Sequence, residues 1–148
     1  METQTNGQIM RLSSQQFAKR LFQLTGAGGI AFWIVDYAIS VSPIGLEYRT
    51  AFSISNLPLA LAGALIGCLI IACCVSNILL RFFEKIPTKN PIIKALFLSL
   101  AAMIIIEVLS ALGDPTHASV YLIVDTGMNL PRFLALGIVI GYLYDKLK

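Results

Sequence analysis

The segment from Asp125 to Tyr144 reads DTGMNLPRFLALGIVIGYLY, and it indicates the class of the whole chain. A helix of about 20 residues spans the roughly 30 Å hydrocarbon core of a bilayer. Most of this segment is apolar enough for lipid, but Asn129, Pro131 and Arg132 interrupt it. Polar residues at membrane depth are costly and commonly belong to a functional site, so the segment predicts a membrane span that carries a polar site.

The tripeptide Asn-Leu-Pro occurs twice in the chain, at residues 56–58 and 129–131. Other residues recur at similar spacing, namely Tyr48 and Tyr121, Pro43 and Pro115, Asp36 and Glu107, and the glycine pairs Gly63/Gly67 and Gly137/Gly141. Corresponding breaks in two halves are typical of duplicated units in membrane transporters. We therefore predict two parallel two-helix repeats. The alternative is that the tripeptide recurs because proline is tolerated near the outer end of a span.

The composition of the chain also indicates a membrane protein. Hydrophobic residues make up 57% of the 148 residues and charged residues only 13%, with a mean hydropathy of +0.79. Soluble domains are about half apolar and about a quarter charged. We predict an all-α polytopic membrane protein with one transmembrane domain, residues 1–148, and four transmembrane helices at about 21–42, 57–80, 92–112 and 120–144.

Two helix boundaries have alternatives. The second span either kinks at Pro58 or is preceded by a separate segment, before Asn56, that lies across the outer mouth. Residues 118–128 either continue the last helix or form a separate outer segment. Helix starts are indicated by capping residues, namely Ser13 with Gln16, Asn56 with Pro58, and Asn90 with Pro91.

The basic residues predict the orientation of the chain. Of its 11 lysines and arginines, all except Arg49 and Arg132 would flank the spans on one side. These residues are Arg11, Lys19, Arg20, Arg81, Lys85, Lys89, Lys94, Lys146 and Lys148. An excess of basic residues marks the cytoplasmic side, so we predict cytoplasmic termini and a location in the cell (inner) membrane. Because the basic residues form no independent face, we expect no nucleic-acid partner.

The sequence contains no recognisable arrangement for enzymatic chemistry. Cys68, Cys73 and Cys74 fall within the second span, where small packing residues are expected and a disulfide framework is not. The single histidine, His117, lies near Asp114 in a turn, and two such residues do not make a metal site. We predict that the protein is not an enzyme and that it has no cofactor and no metal.

Arg132 is the most informative single residue, since an arginine near the centre of a span costs about 2.5–3.5 kcal/mol to insert. Three roles fit it: a structural ion pair, an anion-binding site that uses the guanidinium fork, or an outer interfacial position. Candidate partners are Asp125, Asp36 and Glu107, of which the last two either carry protons or cations or are neutral acids. The predicted binding residues are Arg132, Asp36, Glu107, Asp125, Asn129 and Asn56, and the predicted hinges are Pro58 and Pro131.

Three stretches of the chain resemble the GtrA-like family of small four-span membrane proteins. The stretch from Arg20 to Asp36 is similar to the basic, glycine-rich and acidic opening of that family. Residues 44–51 are similar to its outer connection, and residues 77–83 to the end of its second span. The resemblance implies a role in moving or presenting polyprenyl-phosphate-linked sugars for cell-surface glycan synthesis, in which Arg132 would suit a lipid phosphate.

The sequence therefore predicts a small transporter or flippase-type protein that handles an anionic or lipid-linked solute. Arg132 would pair with the anion, and Asp36 and Glu107 would serve as coupling groups or counter-charges. Because four spans make a narrow path, we expect a homo-oligomer in the lipid bilayer, most simply a homodimer. The alternative is a non-transporting membrane subunit or scaffold that docks a larger membrane partner protein.

Overall fold

The computed structural model describes residues 13–147, and every regular element within that range is helical. The α-helices are α1 (Ser14–Ser40), α2 (Pro43–Ala51), α3 (Leu57–Phe82), α4 (Pro91–Gly113) and α5 (Thr126–Lys146). Short 3-10 turns follow α3 and α4, at Phe83–Lys85 and Pro115–His117, and a π-helical segment, Val120–Asp125, leads into α5. Two of the basic residues used to predict the orientation, Arg11 and Lys148, lie outside the described residues.

Three of these stretches are long and apolar enough to cross a membrane, namely Leu57–Lys85, Pro91–Gly113 and Val120–Lys146. A fourth crossing results if α1 and α2, which are bent by 83° relative to each other, count as one broken span. The predicted all-helical class is therefore confirmed. By length and composition, three or four helices of residues 13–147 could span a bilayer, which is consistent with an integral membrane protein.

The helices begin at the capping residues that the sequence indicates. The Ser13 hydroxyl accepts a hydrogen bond from the Gln16 backbone N–H, and the Gln16 side chain accepts one from the Ser13 backbone N–H, at 3.3 and 3.1 Å. Asn56 caps α3 and Asn90 caps α4, each with a proline in the first turn. The predicted starts of these three helices are confirmed.

The chain between α1 and α3 folds as the separate helix α2, which decides the first open boundary. The Ser42 hydroxyl caps α2 by accepting a hydrogen bond from the Gly45 backbone N–H at 3.3 Å. The break between α1 and α2 is tight, because a Cβ atom on Gly45 would lie 2.8 Å from the Ser40 Cα. Helix α3 then begins anew at Leu57.

The second open boundary is decided in favour of a continuous helix. Residues 118 and 119 are helical, Val120–Asp125 is π-helical, and α5 follows at Thr126 without a side-chain cap. Residues 118–128 therefore continue the last helix. Segments of π-helix are rare and often occur at functional sites.

The helices pack chiefly as α1 on α3 and α4 on α5, and α1 also packs on α5. In the core, the Phe32 and Phe133 rings meet edge to face with their centroids 4.9 Å apart. Fully buried aliphatic residues surround them, namely Leu24, Val75, Leu79, Leu136 and Ile140. The three cysteines are unpaired, and Cys68 is buried as a small packing residue. Large apolar side chains such as Ile66 and Leu112 are exposed, as expected for lipid-facing positions.

The two glycine pairs named above have different surroundings. A Cβ atom on Gly137 would lie 2.8 Å from the Leu96 Cα, and one on Gly141 would collide with the α4 backbone at Ile92. A Cβ atom on Gly63 or on Gly67 would meet nothing within 4 Å. The glycines of α5 therefore permit its close contact with α4, whereas those of α3 face open space.

Candidate functional site

Three charged side chains from three helices meet inside the helix bundle. Asp36 lies near the end of α1, Glu107 in the second half of α4, and Arg132 in the second turn of α5. Their exposed fractions are 8%, 2% and 8%, so all three are buried among largely apolar helices. Charged groups at this depth persist only where partners offset the loss of hydration.

Arg132 forms an ion pair with Asp36 that joins α5 to α1. The guanidinium Nη2 lies 2.9 Å from the carboxylate Oδ1, at the distance of a charge-assisted hydrogen bond. Of the partners considered from the sequence, Asp36 is therefore the ionic one. Arg132 is also buried within the helix bundle, with 8% of its surface exposed.

Asn129 links this ion pair to Glu107. The Asn129 Oδ1 accepts a hydrogen bond from Arg132 Nη1, and its Nδ2 donates one to Glu107 Oε1, both at 2.5 Å. Because one end of the amide accepts and the other donates, both of its functions are used. The result is a continuous polar chain across three helices, from Asp36 through Arg132 and Asn129 to Glu107.

Asp125 extends this polar chain towards α2. Its carboxyl is electrostatically coupled to the carboxyl of Glu107, and it shares the lining of one cavity with Tyr48 of α2. The π-helical segment that ends at Asp125 packs against α4, which brings the two carboxyls together. Asp125 is half-buried, whereas Glu107 is almost fully buried.

Two atoms of this polar chain, which runs from Asp36 to Glu107, have unused hydrogen-bonding capacity. Among residues 13–147, Glu107 Oε2 and Arg132 Nε are buried and have no hydrogen-bond partner. Buried polar atoms are nearly always paired, so unpaired ones in a polar cluster require an explanation. An added proton or a bound ligand would supply the missing partners.

A cavity of about 270 Å³ lies beside this chain, between α1, α2, α3 and α5. Its polar wall is formed by Asp36, Tyr48, Arg49, Asp125, Asn129 and Arg132. Its opposite wall is an apolar strip of α3 from Leu57 to Ala64. Glu107 lies behind Asn129 and outside this lining. Two guanidinium groups and an apolar surface therefore line the same cavity.

Tyr48 and Arg49 line the cavity, although neither is among the binding residues predicted from the sequence. Both lie on α2, whose bend against α1 folds it over the cavity. The Arg49 Nε donates a hydrogen bond to the Gly45 carbonyl at 3.4 Å, and its side chain is half-buried. The signal available in the sequence was the helical pattern after Pro43, which places Tyr48 and Arg49 together at the end of one short helix.

The remaining predicted site residues lie at the helix ends or in the helix backbone. Asn56 is exposed, and its side chain accepts a hydrogen bond from the Leu59 backbone N–H at 3.1 Å. Pro58 lies in the first turn of α3, outside the cavity lining. Pro131 lies inside α5 directly before Arg132. Because proline has no N–H, the carbonyl of Gly127 loses its usual helical partner there, which suits a hinge.

The turn after α4 contains a small, exposed polar cluster of its own. His117 Nδ1 lies 2.8 Å from Asp114 Oδ2, and the Thr116 hydroxyl donates a hydrogen bond to Asp114 Oδ1 at 2.5 Å. These contacts, first the Thr116 hydroxyl and then His117, lower the pKa of Asp114 below its ordinary value of 3.8. Within residues 13–147, no three His, Cys, Asp or Glu side chains are grouped to hold a metal ion.

Comparison with known protein families, with curated proteins and with solved structures finds no match to this chain.

Proposed function

We propose that the chain is a small transporter or flippase-type membrane protein that handles an anionic or lipid-linked solute. The observation that carries the proposal is the position of Arg132, which is buried yet lines a cavity and has an unpaired Nε. A guanidinium group with free donors binds phosphate or carboxylate in a forked geometry. The apolar wall from Leu57 to Ala64 would accommodate the chain of a lipid-linked solute.

Asp36 acts in this proposal as the counter-charge of the empty state. It holds Arg132 in the ion pair when no solute is bound, which avoids an isolated buried cation. An arriving anion replaces Asp36 as the partner of Arg132. Pro131, which leaves the helix backbone unpaired beside Arg132, is the hinge that permits this exchange.

The proposed arrangement in the membrane has four spans, with α1 and α2 forming the first, and both termini in the cytoplasm. It also includes two parallel two-helix repeats and a homodimer in which the open glycine face of α3, at Gly63 and Gly67, meets its copy. Membership of the GtrA-like family is part of the same proposal, and it would make the solute a polyprenyl-phosphate-linked sugar.

The experiment that tests the proposal is transport by the purified protein in proteoliposomes. Two solutes represent the two classes: radiolabelled phosphate, followed by efflux, and fluorescent phosphatidylglycerol, followed by access to an impermeant reductant. Loss of a charge-assisted hydrogen bond costs about 1.5–3 kcal/mol, so Arg132→Leu should slow transport of the true solute about tenfold or more. Arg132→Lys, which keeps the charge, should retain part of the activity.

The matched control is Arg81→Leu, which removes an arginine from an exposed position outside the cavity lining. It should transport at the wild-type rate. A folded Arg132→Leu protein that transports both solutes at the wild-type rate would overturn the proposal.

The second candidate function is a non-transporting subunit that docks a larger membrane protein, and the open face at Gly63 and Gly67 favours it. Water accessibility separates the two functions. With the native cysteines replaced by alanine, an impermeant thiol reagent should label Ala64→Cys, which lines the cavity, and should not label Ile66→Cys, which is 63% exposed towards lipid. An unlabelled Ala64→Cys, together with a stoichiometric co-purified partner, would establish the docking function.

A further inference from the structure

One of the two carboxyl oxygens of Glu107 has no partner among the polar contacts described above. Oε1 accepts a hydrogen bond from the Asn129 amide, whereas Oε2 is buried without a donor among the described residues. A buried carboxylate oxygen without a donor is costly. With a proton attached, the same oxygen becomes a donor and needs only an acceptor.

Asp125 is positioned to be that acceptor. It ends the π-helical segment that packs on α4, its carboxyl is electrostatically coupled to that of Glu107, and it lines the cavity together with Tyr48. Two carboxylates in contact inside a protein repel each other strongly, and such pairs commonly share one proton. The nearest cation, Arg132, is already in an ion pair with Asp36 and cannot neutralise both.

The charged and titratable side chains around this carboxyl pair come from α1, α2 and α5, whereas α3 contributes only apolar lining. Asp36 lies on α1, Tyr48 and Arg49 on α2, and Arg132 on α5, and all four line the same cavity. Three carboxyls, with Glu107 and Asp125 included, face two guanidinium groups. One proton on the carboxyl pair makes the whole cluster electrically neutral.

We propose that Glu107 and Asp125 share one proton and that this proton travels with the anion. Its position is between Glu107 Oε2 and the Asp125 carboxylate. Asp125 lines the cavity and Glu107 lies behind it, so the proton passes from Glu107 to an oxygen of Asp125 and then to water in the cavity. Only O–H bonds are broken and formed. The sharing of the proton rests on the buried, unpaired oxygen of Glu107 and on the electrostatic coupling of Glu107 to Asp125, whereas its travel with an anion rests on the proposed function.

The coupling between proton and anion follows from charge balance. An anion bound to Arg132 displaces Asp36 and adds a negative charge to the cluster. The empty cluster is neutral when the carboxyl pair is protonated and negative when it is not, so the anion binds more tightly to the protonated cluster. By thermodynamic reciprocity the bound anion also holds the proton more tightly. Anion affinity should therefore rise as the pH falls through the range in which the pair titrates.

Infrared spectroscopy of the purified full chain in nanodiscs tests the shared proton without any solute. We expect a protonated-carboxyl C=O band at neutral pH that disappears when the pH is raised and that shifts in protein containing isotope-labelled glutamate. Glu107→Gln and Asp125→Asn should each abolish this band, because each removes one half of the pair. Glu47→Gln, which changes an exposed carboxyl on α2, should leave the band unchanged.

Three results would overturn the shared proton. They are a wild-type protein without the band at neutral pH, a band that survives in both folded variants, and a band that sodium ions remove at constant pH, which would indicate a cation site. The wild-type titration and the isotope shift need no variant, so the test holds even if a variant does not fold.

Binding calorimetry tests the coupling with two phosphodiester probes that do not titrate near neutral pH. Diethyl phosphate represents the free anion, and short-chain phosphatidylglycerol represents a lipid headgroup. The probe that binds should bind about tenfold more tightly at mildly acidic than at mildly alkaline pH, and Glu107→Gln should abolish this dependence. Binding to the wild type that does not vary with pH would overturn the coupling and leave the proposed function intact. If neither probe binds while the infrared band is present, the coupling and the anion-binding function fail together and the shared proton stands.

Discussion

The two Asn-Leu-Pro segments of the chain have the same sequence and different structures. In the first, Asn56 is exposed and caps α3, because the chain turns just before it at Ser53, whose φ of 55° is left-handed. In the second, the helix runs on through the π-helical segment, so Asn129 lies inside α5 and bonds to Arg132 and Glu107. The preceding backbone therefore decides whether the tripeptide starts a helix or supplies a buried polar contact.

The two acidic residues at similar depth, Asp36 and Glu107, differ in the same way. Asp36 has a cationic partner 2.9 Å away, whereas Glu107 has an amide and a neighbouring carboxyl. The guanidinium beside Asp36 favours its charged form, whereas a neighbouring carboxyl favours the proton proposed above for Glu107. Asp36 and Glu107 therefore differ in their partners, although the spacing of the sequence predicts equivalent positions for them.

Substitution of Asp36 and of Glu107 should change the unfolding free energy by very different amounts. Asp36→Asn leaves the buried guanidinium of Arg132 without a counter-charge and should destabilise the fold by about 3 kcal/mol or more. Glu107→Gln replaces a protonated acid by an amide of the same shape, so we expect less than about 1 kcal/mol. Unfolding in mixed micelles with increasing sodium dodecyl sulfate measures both. Equal losses would contradict the assignment of a neutral Glu107.

The second prediction compares the glycine pairs. Gly141→Ala places a methyl group against the Ile92 backbone, which cannot move as a side chain can, and should cost about 1–3 kcal/mol. Gly67→Ala meets open space and removes a poor helix former, so it should be neutral or stabilising by up to about 1 kcal/mol. The same unfolding assay, on samples kept monomeric by dilution, gives both values. A neutral Gly141→Ala would show that α4 and α5 do not pack this closely.

The third prediction compares the two asparagines. Asn129→Ala removes partners from both Glu107 and Arg132 and should cost about 2 kcal/mol, since each unpaired buried group costs about 1–3 kcal/mol before relaxation. Asn56→Ala removes one N-cap and should cost about 1 kcal/mol. In the double variant the two losses should add, because the residues share no partner. A larger loss for Asn56 would reverse the ranking of the two segments.

Much of the fold follows from local sequence. Ser13, Asn56 and Asn90 mark helix starts because their side chains satisfy backbone N–H groups of the first turn, and that chemistry involves neighbouring residues only. The ends of α2 and the π-helical segment could not be predicted from local sequence. The bend at Gly45 and the change of helix type at Val120 depend on tertiary packing, which hydrophobic periodicity does not report.

The candidate site followed from the sequence only in part. Polar residues within apolar segments can be recognised from the sequence. The ion pair considered for Arg132 is present, with Asp36 as its partner. Their role in binding stays a prediction. Tyr48 and Arg49 could not be assigned because they reach the cavity only through the fold of α2 over it. The repeated tripeptide predicts a site role for Asn56, yet the hydrogen bond of its side chain is a local helix cap.

The two connections that precede α2 and follow α4 are closed by different side chains, and this difference predicts a small effect of pH on stability. The connection before α2 is closed by the neutral cap of Ser42, whereas the turn after α4 is closed by Asp114 with Thr116 and His117. Because folding lowers the pKa of Asp114, its contribution to stability is present above pH 3.8 and is lost as the pH falls through the lower pKa of the folded state.

Asp114→Asn should therefore lower the unfolding free energy slightly near neutral pH, because the side chain is 40% exposed, and the difference from the wild type should vanish as the pH falls below the folded-state pKa of Asp114. Melting temperatures of wild type and variant, compared from pH 6 downwards, measure the difference, and Glu47→Gln is the control at an exposed carboxyl on α2. If the variant and the wild type lose stability in parallel on acidification, the acid response originates elsewhere.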